Sequence, residues 1–225
     1  MPRLKLLSSM ATRELLLELL AHSPAGVQVD AQAAGGVDVA RRIQEGEAVD
    51  VVVLASKAID QLIGANRLRA DRVDLARSGV GVAVRAGAKA PDIASEAAVR
   101  HAVQAARTLS YSTGPSGTHL EQLFARWGVF DELKPRIVVP PPGTPVAALI
   151  ADGTVELGFQ QMSELMQVPG VQLVGPLPPA IQAITIFSGA VAVSSREVDA
   201  ARALLAYLAS SGTAAAKQRH GMDPA

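Results

Sequence analysis

What most constrains the fold of this chain is an alternation: short apolar runs rich in Val, Ile and Leu recur between segments whose apolar residues return every three to four positions. Strands that alternate with helices predict an α/β fold with mainly parallel sheets flanked by helices, because each helix returns the chain to start the next strand in the same direction. Strands are expected near Leu4 to Leu7, Val27 to Ala31, Val51 to Leu54, Gly79 to Arg85, Thr108 to Tyr111, Arg136 to Val139, Val155 to Gln160 and Ile184 to Val193. Helices are expected near Thr12 to Ala21, Val37 to Glu45, Ser56 to Ile63, Ser95 to Ala105, Thr118 to Trp127, Pro145 to Ile150 and Glu197 to Ser210. In the first of these Leu15, Leu16, Leu19 and Leu20 share one face.

Two of the apolar runs, Gly79 to Arg85 and Ile184 to Val193, are long, β-branched and spaced by glycine, and they bracket the middle of the chain. They read as crossings between two lobes, able to act as a hinge. The expected division is a discontinuous first lobe, residues 1–80 and 191–225, and an inserted second lobe, residues 81–190.

Composition removes several function classes. Only 3% of the residues are aromatic and the formal charge is zero, so neither a stacking platform nor a basic footprint for nucleic acid or an anionic membrane is present. Cysteine is absent, which excludes disulfides, thiolate metal sites and a cysteine nucleophile. His22, His101, His119 and His220 stand far apart without partners at ligand spacing, so neither a metal nor another cofactor is expected. The longest apolar stretch is too short to span a bilayer, and no direct membrane insertion is expected. The first residues enter a strand pattern at once, so the sequence as written reads as cytoplasmic, or as periplasmic if a signal peptide has been removed.

The chemistry that remains lies in four strand-to-helix turns. Ser8-Ser9-Met10-Ala11-Thr12 precedes the first helix and Gly35-Gly36-Val37-Asp38 the second; Ser112-Thr113-Gly114-Pro115-Ser116-Gly117-Thr118 and Pro142-Gly143-Thr144-Pro145 do the same in the second lobe. Helix starts present unpaired N–H groups and a favourable dipole to an anion, and serine and threonine add donors that carry no charge. Taken singly, each turn reads as an ordinary helix cap. Together, at the carboxyl ends of strands, the four turns predict one cleft that binds a small anion.

On these residues the chain resembles the molybdate-binding-protein-like branch of the class II periplasmic substrate-binding proteins. The resemblance rests on Val39 to Gly46 followed by Val49-Asp50-Val51-Val52-Val53, on Gly114-Pro115-Ser116-Gly117, on Leu157-Gly158-Phe159, and on Lys217 to Met222. It implies a two-lobed fold with two hinge crossings and an oxyanion held by hydroxyls and backbone amides. By position, the ligand-binding set is Ser8, Ser9, Met10, Ala11, Thr12, Gly35, Gly36, Ser112, Ser116, Gly143, Gln160 and Gln161. Ala11 and Gly36 stand where the molybdate binders have serine, and Gln161 where they have tyrosine, which turns the expectation from molybdate toward a carboxylate. Arg13, Arg41 or Gln160 would serve a second ligand group if turned inward.

The resemblance implies a solute-binding protein that closes on a small oxyanion or carboxylate and works with a membrane component of a transporter. Ser163-Glu164-Leu165 and Gly221-Met222-Asp223-Pro224 are also similar to members described as aconitate isomerases, which leaves an isomerase of an unsaturated polycarboxylate as the alternative. An allylic proton shift needs a base within reach of the substrate C–H, and His119 and Glu164 are the candidates. The other readings are an exposed helix histidine and a helix-start carboxylate.

Overall fold

A computed structural model describes residues 3–23, 27–141, 143–166 and 168–225. In chain order the strands are β1 (Arg3–Ser9), β2 (Gln28–Ala34), β3 (Val51–Ala55), β4 (Val73–Arg85), β5 (Leu109–Tyr111), β6 (Leu157–Gln161), β7 (Val171–Pro176), β8 (Ile184–Val191) and β9 (Asp223–Pro224). The helices are α1 (Arg13–Ala21), α2 (Gly36–Gln44), α3 (Ser56–Gly64), α4 (Glu96–Ala105), α5 (Pro115–Arg126), α6 (Phe130–Leu133), α7 (Val146–Ala151), α8 (Met162–Leu165), α9 (Val198–Ala209) and α10 (Ala214–Arg219). They fall into two compact units: Met1–Ser78 with Thr185–Ala225, and Gly79–Ile184. The chain leaves the first unit within β4 and returns at the start of β8.

In the first unit the strand order is β2-β1-β3-β8, followed by the first part of β4. The sheet is buried on both faces, which explains why β3 is apolar throughout and why Leu4, Leu6 and Leu7 of β1 are all buried. Leu4 and Leu6 join Leu15, Leu16, Val51 and Val53 in one core, while Leu7 joins Val39, Ile43, Val52 and Leu54 in another. The leucine face of α1 is buried at Leu15, Leu16 and Leu19, with Leu17 left exposed. A fully buried leucine contributes roughly 1.5–3 kcal/mol relative to an exposed one, so this face fixes how α1 lies on the sheet.

In the second unit β6 lies between β4 and β5, and β7 pairs with the other edge of β4. Its larger core gathers Val80, Val82 and Val84 with Leu123, Phe124, Trp127 and Phe159. Phe124 meets Trp127, Tyr111 and Phe159 at ring separations of 5.8, 6.1 and 6.3 Å, so these aromatics are a packed core.

The sheets are mixed, which corrects the expectation of mainly parallel ones. β1 is parallel to β2 and β3, and β5 to β6. The antiparallel pairs are β3 with β8 and β4 with β6, β7 and β9. β8 and the long β4 are the strands in which the chain changes unit, so no crossover helix sets their direction. Arg136 to Val139 forms a single bridge from Ile137 to Leu109 rather than a strand. Among the described residues no helix is long and apolar enough to cross a membrane.

Candidate functional site

In the first unit, the register of β1 on its neighbours sets Ser9 opposite Ala34 and Ser8 opposite Val53, so three parallel strands deliver the chain to one edge. The helices that follow all begin there: α1 after a short 3-10 turn over Met10–Thr12, α2 at Gly36 and α3 at Ser56. Ser8, Ser9, Ala11 and Thr12 are buried and Met10 is half-buried. Thr12 Oγ1 donates to the Ser9 carbonyl at 3.1 Å, and Ser8 Oγ lies 3.5 Å from the Gln32 carbonyl.

Ser9 differs. Its Oγ is buried, caps no helix and has no hydrogen-bond partner among the described residues, with the whole residue 6% exposed. A buried hydroxyl left unpaired costs about 1–3 kcal/mol, so its retention needs a reason such as a ligand. A β-carbon built on Gly36 would stand 3.7 Å from the Ser9 β-carbon and 3.8 Å from Leu54 Cδ2, which sets the Ser9 side chain against the first turn of α2. No side chain caps α2 at Gly35. The start of α3 at Ala55–Ser56 joins the same edge; its signal in the sequence is the apolar run of β3 ending in serine, which marks a helix boundary and carries no further sign of a binding role.

Arg13 and Arg41 do not turn inward, contrary to that option. Arg41 is exposed and donates to Asp38 at 2.6 Å and to Glu45 at 2.7 Å, and these partners raise its pKa above the usual arginine value. Arg13 is exposed, 3.7 Å from Glu14. For Arg41, intrahelical partners one turn away outcompete more distant ones for the exposed side chain.

In the second unit, β5 and β6 run parallel with Tyr111 opposite Phe159, so Ser112 and Gln160–Gln161 leave a common edge. Ser112 Oγ and Ser116 Oγ are 2.7 Å apart, with Ser116 buried in the first turn of α5. The loop wraps so closely that a β-carbon on Gly117 would lie 1.7 Å from the Ser112 carbonyl oxygen, and only glycine fits. Gln160 and Gln161 are buried at the end of β6. Gln160 Oε1 accepts from the Ala147 N–H in the first turn of α7 at 3.2 Å, and its Nε2 donates to Glu164 Oε1 at 2.8 Å. Gln160 is therefore engaged within the protein, and one N–H expected to be free at α7 is already used. Ser163 Oγ, beside Glu164, is buried without a hydrogen-bond partner among the described residues.

Burial of the Glu164 carboxyl raises its pKa to about 7, and the bond from Gln160 only partly opposes this. His119 Nε2 donates to the Ile181 carbonyl at 2.8 Å, which directs the ring to the 3-10 turn over Pro179–Ile181 and leaves Nδ1 for other partners. Gly143, at φ +79°, is exposed in a turn closed by the Thr144 N–H on the Pro141 carbonyl, while Pro142 lies outside the described residues. Each unit thus presents an edge of uncharged donors, and the second adds one carboxyl poised near neutrality. Among the described residues no three His, Asp or Glu side chains gather to hold a metal. A surface hollow of about 510 Å³ near Arg3, Gln28 and Asp30 lies at the amino ends of β1 and β2, away from these edges.

Comparison with known proteins gives the family and the fold. The chain is 38% identical over 208 residues to an aconitate isomerase from Pseudomonas sp., covering 88% of this chain and 78% of that protein. Its fold matches the periplasmic molybdate-binding protein of Azotobacter vinelandii with a TM-score of 0.80 at 20% identity, over 97% of this chain and 98% of the other. It matches the sulfate-binding protein SubI of Mycobacterium tuberculosis H37Rv with a TM-score of 0.77 at 15% identity, over 100% and 87%. The family described as bacterial extracellular solute-binding protein matches residues 4–223, and this chain belongs to it.

Proposed function

We propose that this protein is a receptor for a small oxyanion or carboxylate held by uncharged donors. The observation that carries the reading is Ser9: a buried hydroxyl without a partner among the described residues, set against the start of α2 at Gly36, which no side chain caps. An anion accepts from such a hydroxyl and from helix-start N–H groups together. On this reading Ser8, Ser9, Met10, Ala11, Thr12, Gly35 and Gly36 are the donor positions of the first unit's edge and Ser112, Ser116, Gly143 and Gln161 those of the second unit's edge, while Gln160 is held by Ala147 and Glu164 and serves to position the latter. Because Ala11, Gly36 and Gln161 reduce the number of side-chain hydroxyls, a carboxylate is preferred to molybdate. The family supports action outside the cytoplasm and delivery of the ligand to a membrane transporter component. Calorimetric titration with molybdate, tungstate, sulfate, cis-aconitate and trans-aconitate tests this. Micromolar binding of a carboxylate supports the reading, tight binding of molybdate alone removes the carboxylate preference, and no binding of any of them defeats it.

The 38% identity to an aconitate isomerase favours a second reading, an allylic isomerase on the same scaffold. A base would take the proton from one allylic carbon, N–H and hydroxyl donors would stabilise the dienolate, and the proton would return at the other end of the allyl system. Glu164, with its pKa near 7, is suited to both transfers, and His119 would act through Nδ1. Incubation of cis- and trans-aconitate with the protein in D₂O, followed by NMR, checks it. Interconversion that is lost in Glu164→Gln or His119→Ala places the protein with the isomerases, and the absence of interconversion leaves it a receptor.

A further inference from the structure

We propose, resting on the anion-binding reading above, that Glu164 takes up a proton when the anion binds, so that the protein binds its ligand as an anion together with a proton. The carboxyl sits where anion donors collect: α8 follows directly from the end of β6, on the edge shared with Ser112 and Ser116. An ionised carboxylate there opposes a second negative charge, whereas the neutral acid offers an O–H donor.

The surroundings assign the proton. The Ala147 N–H can only donate, so it holds Oε1 of Gln160 toward α7 and turns Nε2 toward Glu164. Glu164 Oε1 must then accept, which leaves Oε2 to carry the proton. Among the described residues no cation pairs with it. Of the elements packed on α8, neither β6 nor β7 carries a titratable side chain. Met162 and Leu165 also lie against Gly81 of β4, whose charged residues are engaged elsewhere. Asp74 accepts from Ser188 and pairs with Arg72, Arg77 is 3.9 Å from Asp223, and Arg85 lies beside Gly153. Burial, opposed among the described residues only by the Gln160 donor, brings this carboxyl to a pKa of about 7 already, so a bound anion needs to shift it only a little further.

Titration calorimetry of the intact protein with trans-aconitate and with molybdate, in buffers of different ionisation enthalpy, reads the proton directly. Uptake of about 0.5–0.75 proton per ligand is expected at pH 7.5, with affinity falling up to about tenfold per pH unit above 7. Glu164→Gln keeps the acceptor for Gln160 and places an amide N–H where the acid proton was, so it is expected to abolish both the uptake and the slope. Carboxyl ¹³C NMR of the wild-type protein provides a check independent of the variant's folding: the Glu164 titration should move to higher pH when ligand is added. Binding without proton uptake, uptake that persists in Glu164→Gln, or an unmoved Glu164 titration overturns this inference while leaving the receptor reading intact. Failure of both probes to bind removes this inference, and failure of all five anions named above removes the receptor reading with it.

Discussion

Gly117→Ala is the sharpest perturbation of the candidate site. The new methyl would stand 1.7 Å from the Ser112 carbonyl oxygen and 3.1 Å from Tyr111 Cδ2, where an ordinary contact needs roughly twice the first distance. Either the first turn of α5 or the Ser112 peptide must shift by about 1.5 Å, and that motion breaks the 2.7 Å bond between Ser112 and Ser116. Overpacking of this kind costs about 1–3 kcal/mol, and the better helix propensity of alanine returns up to about 1. A net loss of about 1–2 kcal/mol lowers the Tm of a protein this size by roughly 2–8 °C. Anion affinity should fall about tenfold or more, since the loop that carries the serines has moved. Gly36→Ala is the matched control: its methyl meets nothing nearer than 3.7 Å, and its stability should stay level or rise slightly. Denaturant unfolding and calorimetry on the two variants decide the matter. A Gly117→Ala protein with wild-type Tm and wild-type affinity would refute the reasoning.

Three further outcomes are expected. Ser9→Ala should leave stability unchanged or raise it by about 1 kcal/mol, because an unpaired buried hydroxyl is removed, yet weaken anion binding about tenfold or more; unchanged affinity would remove Ser9 from the site. Lys217 is 1% exposed and burial lowers its pKa, so Lys217→Met should stabilise the fold by about 1 kcal/mol or more in urea titrations, and a loss of stability would show that its ammonium has a favourable partner. Glu164 binds its proton more tightly folded than unfolded, so its stabilising contribution is complete below about pH 4.5 and is lost as the pH rises to about 7. Glu164→Gln should remove that decline, worth up to about 3 kcal/mol between pH 4.5 and 8, and parallel pH profiles for the two proteins would count against it.

Local pattern and tertiary pairing contribute different parts of this protein. The order of strands and helices was legible where periodicity is strong, as in the leucine face of α1 and the apolar runs of β1, β3 and β6. The strand-to-helix turns were legible too, because serine, glycine and proline mark them whatever surrounds them. β7 was missed, since Val171–Pro176 is short, half-buried and interrupted by Gly175; so was the first part of β4, where Asp74, Arg77 and Ser78 hide the strand period. The pairing of Arg41 with Asp38 and Glu45 was written in their spacing of three and four and was overlooked. What no local pattern contains is the set of partners brought in from elsewhere in the chain. His119 is turned to Ile181, 62 residues away, Gln160 is oriented by the start of α7, and Ser9 is left without a bond beside Gly36. A hydrogen-bonding group is engaged or free according to what the folded chain sets within about 3 Å of it. The sequence by itself therefore determined which residues could bind or move a proton, and the tertiary structure decided which of them remain free to do so.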